Sequence, residues 1–192
     1  MKKRTGLYFG SFNPIHMGHL IIAEYILDKG LVDDVWMVIS PLNPFKKKSG
    51  LLDHHERYKL LKKAVYGNKC IVASDIEFDL PIPSYTIDTL TVLKRKFSSR
   101  SFSLVMGEDN LEHFDKWKSY REILDEHQVY VYPRLSHETN KFDSEENIIK
   151  VNAPILELSS TEIRHRIKEG RSIRYLTRES VRKEILMTGA YK

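Results

Sequence analysis

The chain has 192 residues, with 31 basic against 26 acidic side chains, a formal charge of +5 and a sequence pI of about 9.1. A hydrophobic share of 41%, including 10% aromatic, is enough to fill a core and excludes wholesale disorder. One cysteine, Cys70, excludes an internal disulfide framework and any multi-cysteine zinc or iron–sulfur centre.

The basic start, Met1 to Arg4, is followed by too short an apolar stretch for a signal peptide. Gly6 to Phe9 is short, apolar and closed by Gly10, the pattern of a buried strand ending at a turn. From Gly18 the spacing of Leu20, Ile21, Ala23, Tyr25, Ile26 and Leu27 predicts a helix that stops at Gly30. Val35 to Ile39 reads as a second strand, ended by Ser40-Pro41. Asp53 and Glu56 open a helix as a capping box, and it runs to about Tyr66. Cys70 to Ala73 reads as a third strand. Pro81 and Pro83 bar regular structure before Ser84, after which Ile87, Leu90 and Leu93 give a helix. Phe102 to Met106 is a fourth strand, ending in Gly107, and Leu111, Phe114 and Trp117 fall on one helical face. A short helix, Tyr120 to Asp125, leads to a strand from Val129 to Tyr132. A polar loop from Asn140 to Asn147 then precedes a sixth strand, Ile148 to Val151. Helices at about 161–169 and 178–187 end the pattern.

Strands alternating with helices predict an α/β, Rossmann-like doubly wound parallel sheet of about six strands, with helices on both faces and a C-terminal helical element. The expected organisation is one domain, 1–192, whose C-terminal helical part begins near 160. No apolar run reaches the roughly 20 residues of a membrane span, so a cytoplasmic protein with no membrane partner is expected. In such a sheet ligands bind beyond the carboxyl ends of the strands.

At the end of strand one stands Gly10-Ser11-Phe12-Asn13-Pro14-Ile15-His16-Met17-Gly18-His19. Gly10 and Gly18 allow the backbone to approach a ligand closely, and a helix N-terminus offers N–H groups and partial positive charge to an anion. His16 and His19 lie three apart at the helix start and reach one pocket. Imidazoles in that setting suit a phosphate that gains charge during reaction. Two plainer readings are a metal-binding His pair, which lacks an obvious third ligand, and surface or packing histidines. The segment is neither a dinucleotide fingerprint nor a P-loop.

The segment from Gly10 to His19 resembles the G-x-F-x-P-x-H-x-G-H signature of the nucleotidyltransferase superfamily related to class I aminoacyl-tRNA synthetases. Its members join a nucleoside triphosphate to a phosphorylated acceptor and release pyrophosphate. The resemblance implies that His16 and His19 line the triphosphate and stabilise the transition state, and that Gly10, Ser11, Phe12 and Gly18 contact ATP. Ser159-Ser160-Thr161-Glu162-Ile163-Arg164 reads by itself as a capping box. It also resembles the superfamily's I-S-S-T-x-I-R element, which implies that Ser159, Ser160 and Thr161 hold the nucleotide and that Arg164 is catalytic. Lys46 corresponds to a phosphate-contacting lysine of nicotinate-mononucleotide adenylyltransferases, here with Asn43 and Phe45 where the family carries proline and histidine.

Further segments narrow the resemblance to that family. Pro83 to Leu90 is similar to its P-S-Y-T-x-D-T-L stretch, and Gly107 to Leu111 to its G-x-D-x-L element, placing Gly107 and Asp109 at ATP. Phe114 to Trp117 is similar to F-x-x-W, whose tryptophan stacks on the pyridine ring; periodicity alone equally allows Trp117 in the core. The resemblance thus implies that Asn13, Ser84, Tyr85, Thr86, Trp117 and Lys118 meet nicotinate mononucleotide. It implies no resident metal ligands, and Mg²⁺ held mainly by the ATP phosphates. Expected partners are ATP and nicotinate mononucleotide, with a homo-oligomer left open. A nicotinamide mononucleotide or phosphopantetheine adenylyltransferase and a cytidylyltransferase are rivals within the superfamily. A nucleic-acid-binding module is disfavoured because basic and acidic residues are interspersed.

Overall fold

The computed structural model describes residues 2–42, 50–134 and 141–192. Its scaffold is one sheet of six strands, β1 (Lys3–Gly10), β2 (Asp34–Ile39), β3 (Ile71–Ser74), β4 (Arg100–Gly107), β5 (Val129–Tyr132) and β6 (Ile148–Lys150). All neighbouring pairs are parallel, in the order β3-β2-β1-β4-β5-β6. Parallel strands need crossovers, and helices supply most of them: α1 (Met17–Asp28), α2 (His54–Val65), α3 (Thr86–Lys96), α4 (Glu108–Leu111) and α5 (Tyr120–Glu126). α6 (Ser160–Lys168) and α7 (Glu179–Thr188) follow the last strand.

Side-chain alternation along the strands divides the apolar residues between two cores. Tyr8, Met37, Val105 and Tyr130 face α1, α2, α6 and α7, where Ile22, Ile26, Leu61, Ile163 and Ile185 are buried. Leu7, Val38, Leu104 and Val129 face the other way, toward Leu90 and Leu93 of α3 and Ile123 of α5. Both faces of β1 are therefore covered, which is why its apolar run is nearly continuous.

Three sequence expectations change here. Leu111, Phe114 and Trp117 do not share a helix. α4 is a single turn, a 3₁₀ turn covers Phe114–Lys116, and Trp117 is already extended. Consecutive broken turns reproduce a three-residue apolar spacing without a continuous helix. Asp53 caps α2 by accepting the His55 N–H at 2.9 Å. Ser159 caps α6 by accepting from Glu162, but the Glu162 carboxylate pairs with Arg166 at 2.8 Å, so that cap is one-sided. The polar stretch before β6 carries a core residue, Phe142, packed against Phe114 and Tyr120.

The sheet order reverses direction between β1 and β4, so their carboxyl ends open a crevice. Among the described residues, no helix is long and apolar enough to cross a membrane.

Candidate active site

A cavity of about 360 Å³ occupies that crevice. It draws its wall from both ends of the sequence: Gly10, Ser11, Phe12, Asn13, His16 and His19 on one side, Ser159, Ser160, Thr161 and Arg164 on the other, with Asp109 from α4. The loop after β1 is held by the C-terminal region residue by residue. Arg164 Nη1 donates to the Asn13 carbonyl at 2.8 Å, Ser160 Oγ to the Pro14 carbonyl at 2.8 Å, and Thr177 Oγ1 to the Ile15 carbonyl at 3.0 Å. The Met17 N–H donates to the Leu176 carbonyl at 2.9 Å. From inside, Arg57 donates to the Ser11, Ser40, Pro41 and Leu52 carbonyls at 2.6–3.0 Å.

Close approach explains the two glycines of the loop. Phe12 adopts φ 43°, in the left-handed region, and its ring lies so near Gly10 that a Cβ there would meet it at 2.8–3.0 Å. A Cβ on Gly18 would stand 3.1 Å from the His16 ring. The glycine at 18 lets that ring fold over the first turn of α1.

His16 is the N-cap residue of α1, and His19 lies on its first turn. Their rings stack, with centroids 3.6 Å apart and planes at 26°. The His16 backbone N–H donates to His19 Nδ1 at 3.3 Å, so a neutral His19 carries its proton on Nε2. His16 is buried, and that burial, aided by the positive charge of Arg134, pushes its pKa down to about 3. Its Nδ1 is buried with no hydrogen-bond partner, as befits a polar atom at a ligand site.

Sequence reasoning missed Arg134, Tyr8, Tyr132 and Arg57. Arg134 lines the cavity, sits over the Tyr132 ring at 5.2 Å, and faces Asp109 at 3.7 Å. Its Nε is buried with no hydrogen-bond partner. Tyr8 and Tyr132 share a hydroxyl–hydroxyl hydrogen bond of 2.9 Å at the ends of β1 and β5, and burial raises both phenol pKa values. Only their position at strand ends marked them in advance. Arg57 reads in sequence as one more charge on an amphipathic helix.

Other expected site residues stand elsewhere. Gly18 borders a small recess behind the histidines, and Gly107 ends β4 beside Asp109. Ser84, Tyr85, Thr86, Trp117 and Lys118 do not line the cavity. They gather around the start of α3: Lys118 Nζ lies over the Tyr85 ring at 5.1 Å and pairs with Asp88 at 2.9 Å, while half-buried Trp117 packs edge-on to Phe114 at 5.1 Å. Ser84 is buried, and its hydroxyl donates to Glu77 at 2.7 Å. Asn13 lines the cavity, but its side-chain amide ties the loop to Gly50 and Leu52. Lys46, with Asn43 and Phe45, lies outside the described residues.

Chemically, the cavity joins two helix N-termini, a neutral imidazole and two guanidinium groups around one space, an arrangement that suits a polyanion. Among the described residues no three His, Cys, Asp or Glu side chains group so as to hold a metal ion. The cavity carboxylate, Asp109, faces a cation. This donor set fits a divalent cation that arrives with a nucleotide.

Comparisons with known proteins agree with that chemistry. The cytidylyltransferase-like family model matches residues 7–166. A probable nicotinate-nucleotide adenylyltransferase of Flavobacterium psychrophilum is 49% identical over 191 residues, covering 98% of this chain and 99% of its own. One from Christiangramia forsetii is 45% identical over 194 residues, covering 100% of both chains. The structure of Plasmodium falciparum nicotinic acid mononucleotide adenylyltransferase complexed with NaAD superposes with a TM-score of 0.83, covering 98% of this chain and 97% of that one. At 19% identity, that likeness speaks for the fold.

Proposed function

The chain belongs to the cytidylyltransferase-like family and, within it, to the nicotinate-nucleotide adenylyltransferases, and from that premise we propose how its residues carry out the transfer. The reaction is adenylyl transfer from ATP to nicotinate mononucleotide, giving deamido-NAD and pyrophosphate in NAD biosynthesis. An oxygen of the acceptor's 5′-phosphate attacks the α-phosphorus of ATP, and pyrophosphate leaves from the opposite side. Such a displacement asks for positioning and charge stabilisation more than for covalent work by the protein.

The observation that carries the assignment is the convergence of His16, His19, Ser159 to Thr161 and Arg164 on one cavity. His16, neutral at pH 7, offers the phosphates hydrogen bonding without a fixed charge. His19, with its Nδ1 accepting the His16 N–H, has Nε2 as its donor nitrogen when neutral. Arg164 spends two N–H groups on Asn13 and Thr161, and a guanidinium has five, so the rest serve the β- and γ-phosphates. The N-termini of α1 and α6 add partial positive charge. Asp109 meets the adenosine ribose, and Lys46 adds a further phosphate contact. A divalent cation such as Mg²⁺, if it arrives with the triphosphate and is held mainly by ATP and water, would neutralise part of the phosphate charge.

The acceptor's pyridine ring is met at the start of α3, by Tyr85, Thr86, Trp117 and Lys118, with Ser84 behind them. Half-exposed Trp117 has ring area left for stacking. We place the reaction in the cytoplasm, where an exposed, unpaired Cys70 suits reducing conditions.

Pyrophosphate release from ATP, measured against nicotinate mononucleotide, its amide, phosphopantetheine and glycerol phosphate, tests the reading. The acid mononucleotide is expected to give the highest kcat/KM. A higher value with phosphopantetheine or glycerol phosphate would overturn it.

A further inference from the structure

Glu77 lies between β3 and α3 and is only 2% exposed, although it carries a carboxylate. Among the described residues it meets hydroxyl groups and no cation. Ser84 Oγ donates to Oε2 at 2.7 Å and Thr89 Oγ1 donates to Oε1 at 2.8 Å, and the Ser40 side chain is near enough to favour the charged form. Burial pushes its pKa up, and the three hydroxyls pull the other way. An acid buried without a counter-charge is a costly way to fill space, since an apolar side chain of similar volume packs without that desolvation.

What the hub holds is informative. Ser84 immediately precedes Tyr85, the N-cap residue of α3, and Thr89 lies one turn inside the helix. Tyr85 makes no side-chain capping bond, so α3 does not set its own start by the usual means. The carboxylate grips the chain on both sides of Tyr85 and Thr86 instead. Its further polar neighbour, Ser40, belongs to the frame of the nucleotide loop: the Ser40 N–H donates to the Gly10 carbonyl at 3.0 Å, and the Ser40 carbonyl accepts from Arg57 at 3.0 Å. The same Arg57 holds Ser11.

We propose that Glu77 is a positioning residue for the acceptor, fixing the Ser84–Thr86 segment through Ser84 and Thr89, beside Ser40 of the nucleotide loop's frame. The inference rests on the reading that this segment meets nicotinate mononucleotide. Glu77 touches no substrate in this scheme and acts through Ser84 and Thr89.

The test compares Glu77→Gln, Thr89→Val, Thr89→Ser and Thr86→Ala with the wild-type enzyme, using steady-state kinetics and amide hydrogen exchange over residues 82–88. Loss of one charge-assisted bond in the hub is expected to raise KM for nicotinate mononucleotide about tenfold in Glu77→Gln and Thr89→Val. KM for ATP should stay within about twofold, exchange over 82–88 should quicken, and Thr89→Ser, which keeps the hydroxyl, should restore both readouts. Lower thermal stability with both KM values unchanged would overturn the proposal, as would an equal rise in the two. If Glu77→Gln does not fold, the Thr89→Val and Thr89→Ser pair decides. Thr86→Ala separates the two layers. If it leaves the acceptor KM unchanged, the segment is not the acceptor site and the proposal falls with it; if it raises KM while the hub variants do not, Glu77 alone is refuted.

Discussion

Replacing His16 with Gln removes a single titration from the wall of the cavity, and the structure sets its size. The ring is 4% exposed, and burial, reinforced by Arg134, holds its pKa at about 3 against an ordinary 6.5. Between those values the unfolded chain binds the proton and the folded chain does not, so stability rises with pH. The contribution is complete above about pH 7 and is lost as pH falls from 6.5 toward 3. At about pH 5 the solution lies roughly 1.5 units below the unfolded value, which at about 1.4 kcal/mol per unit amounts to about 2 kcal/mol. Guanidinium unfolding followed by circular dichroism at about pH 7.5 and about pH 5 measures it directly. Wild-type protein is expected to lose about 2 kcal/mol more than the His16→Gln variant on acidification. His54 and His127, whose pKa values burial also lowers, are present in both proteins and cancel in the difference. Losses equal to within about 0.5 kcal/mol would show that His16 is not held neutral in the folded state, and the electrostatic account of the cavity would fail.

Three other substitutions probe the same site. His19→Ala should lower turnover about 10²–10³-fold with the fold intact, the scale of one transition-state donor; a rate within threefold of wild type in a stopped pyrophosphate assay would remove His19 from the mechanism. Gly18→Ala sets a Cβ 3.1 Å from the His16 ring, so the ring must shift by a few tenths of an ångström. Turnover should drop about tenfold or more while melting temperature holds or rises, because alanine favours the helix and only the catalytic geometry suffers. Arg57→Met orphans the carbonyls of Ser11, Ser40, Pro41 and Leu52, and at about 1 kcal/mol per lost bond denaturant titration should show a destabilisation on the order of 4 kcal/mol.

The strands were legible because each carries a dense apolar run closed by a turn residue. Val35 to Ile39 and Val129 to Tyr132 agree with the observed β2 and β5 to within one residue. The cavity-lining loop after β1 was legible for a related reason: glycines and histidines crowded at a strand end leave a local mark. Arg57 and Glu77 left none. Each is buried by partners far away in sequence, as when Ser11 lies 46 residues from Arg57, and no short window distinguishes such a residue from a solvated one. Phe142 illustrates the reverse, an aromatic in a polar stretch whose core position depends on Phe114 and Tyr120. Around the start of α3, hydroxyls and one aromatic have everyday structural uses, so only resemblance to a family singled them out.

The clasp between the first loop and the C-terminal region bears on how the enzyme comes into being. Asn13, Pro14, Ile15 and Met17 are bonded to Arg164, Ser160, Thr177 and Leu176, partners 146–162 residues downstream for the first three. A nascent polypeptide whose residues 160–177 are still inside the exit tunnel already displays both histidines, but the loop that bears them is braced only by Arg57 and the segment at Gly50 and Leu52. The clasp therefore closes only once residues 160–177 have been made and have emerged.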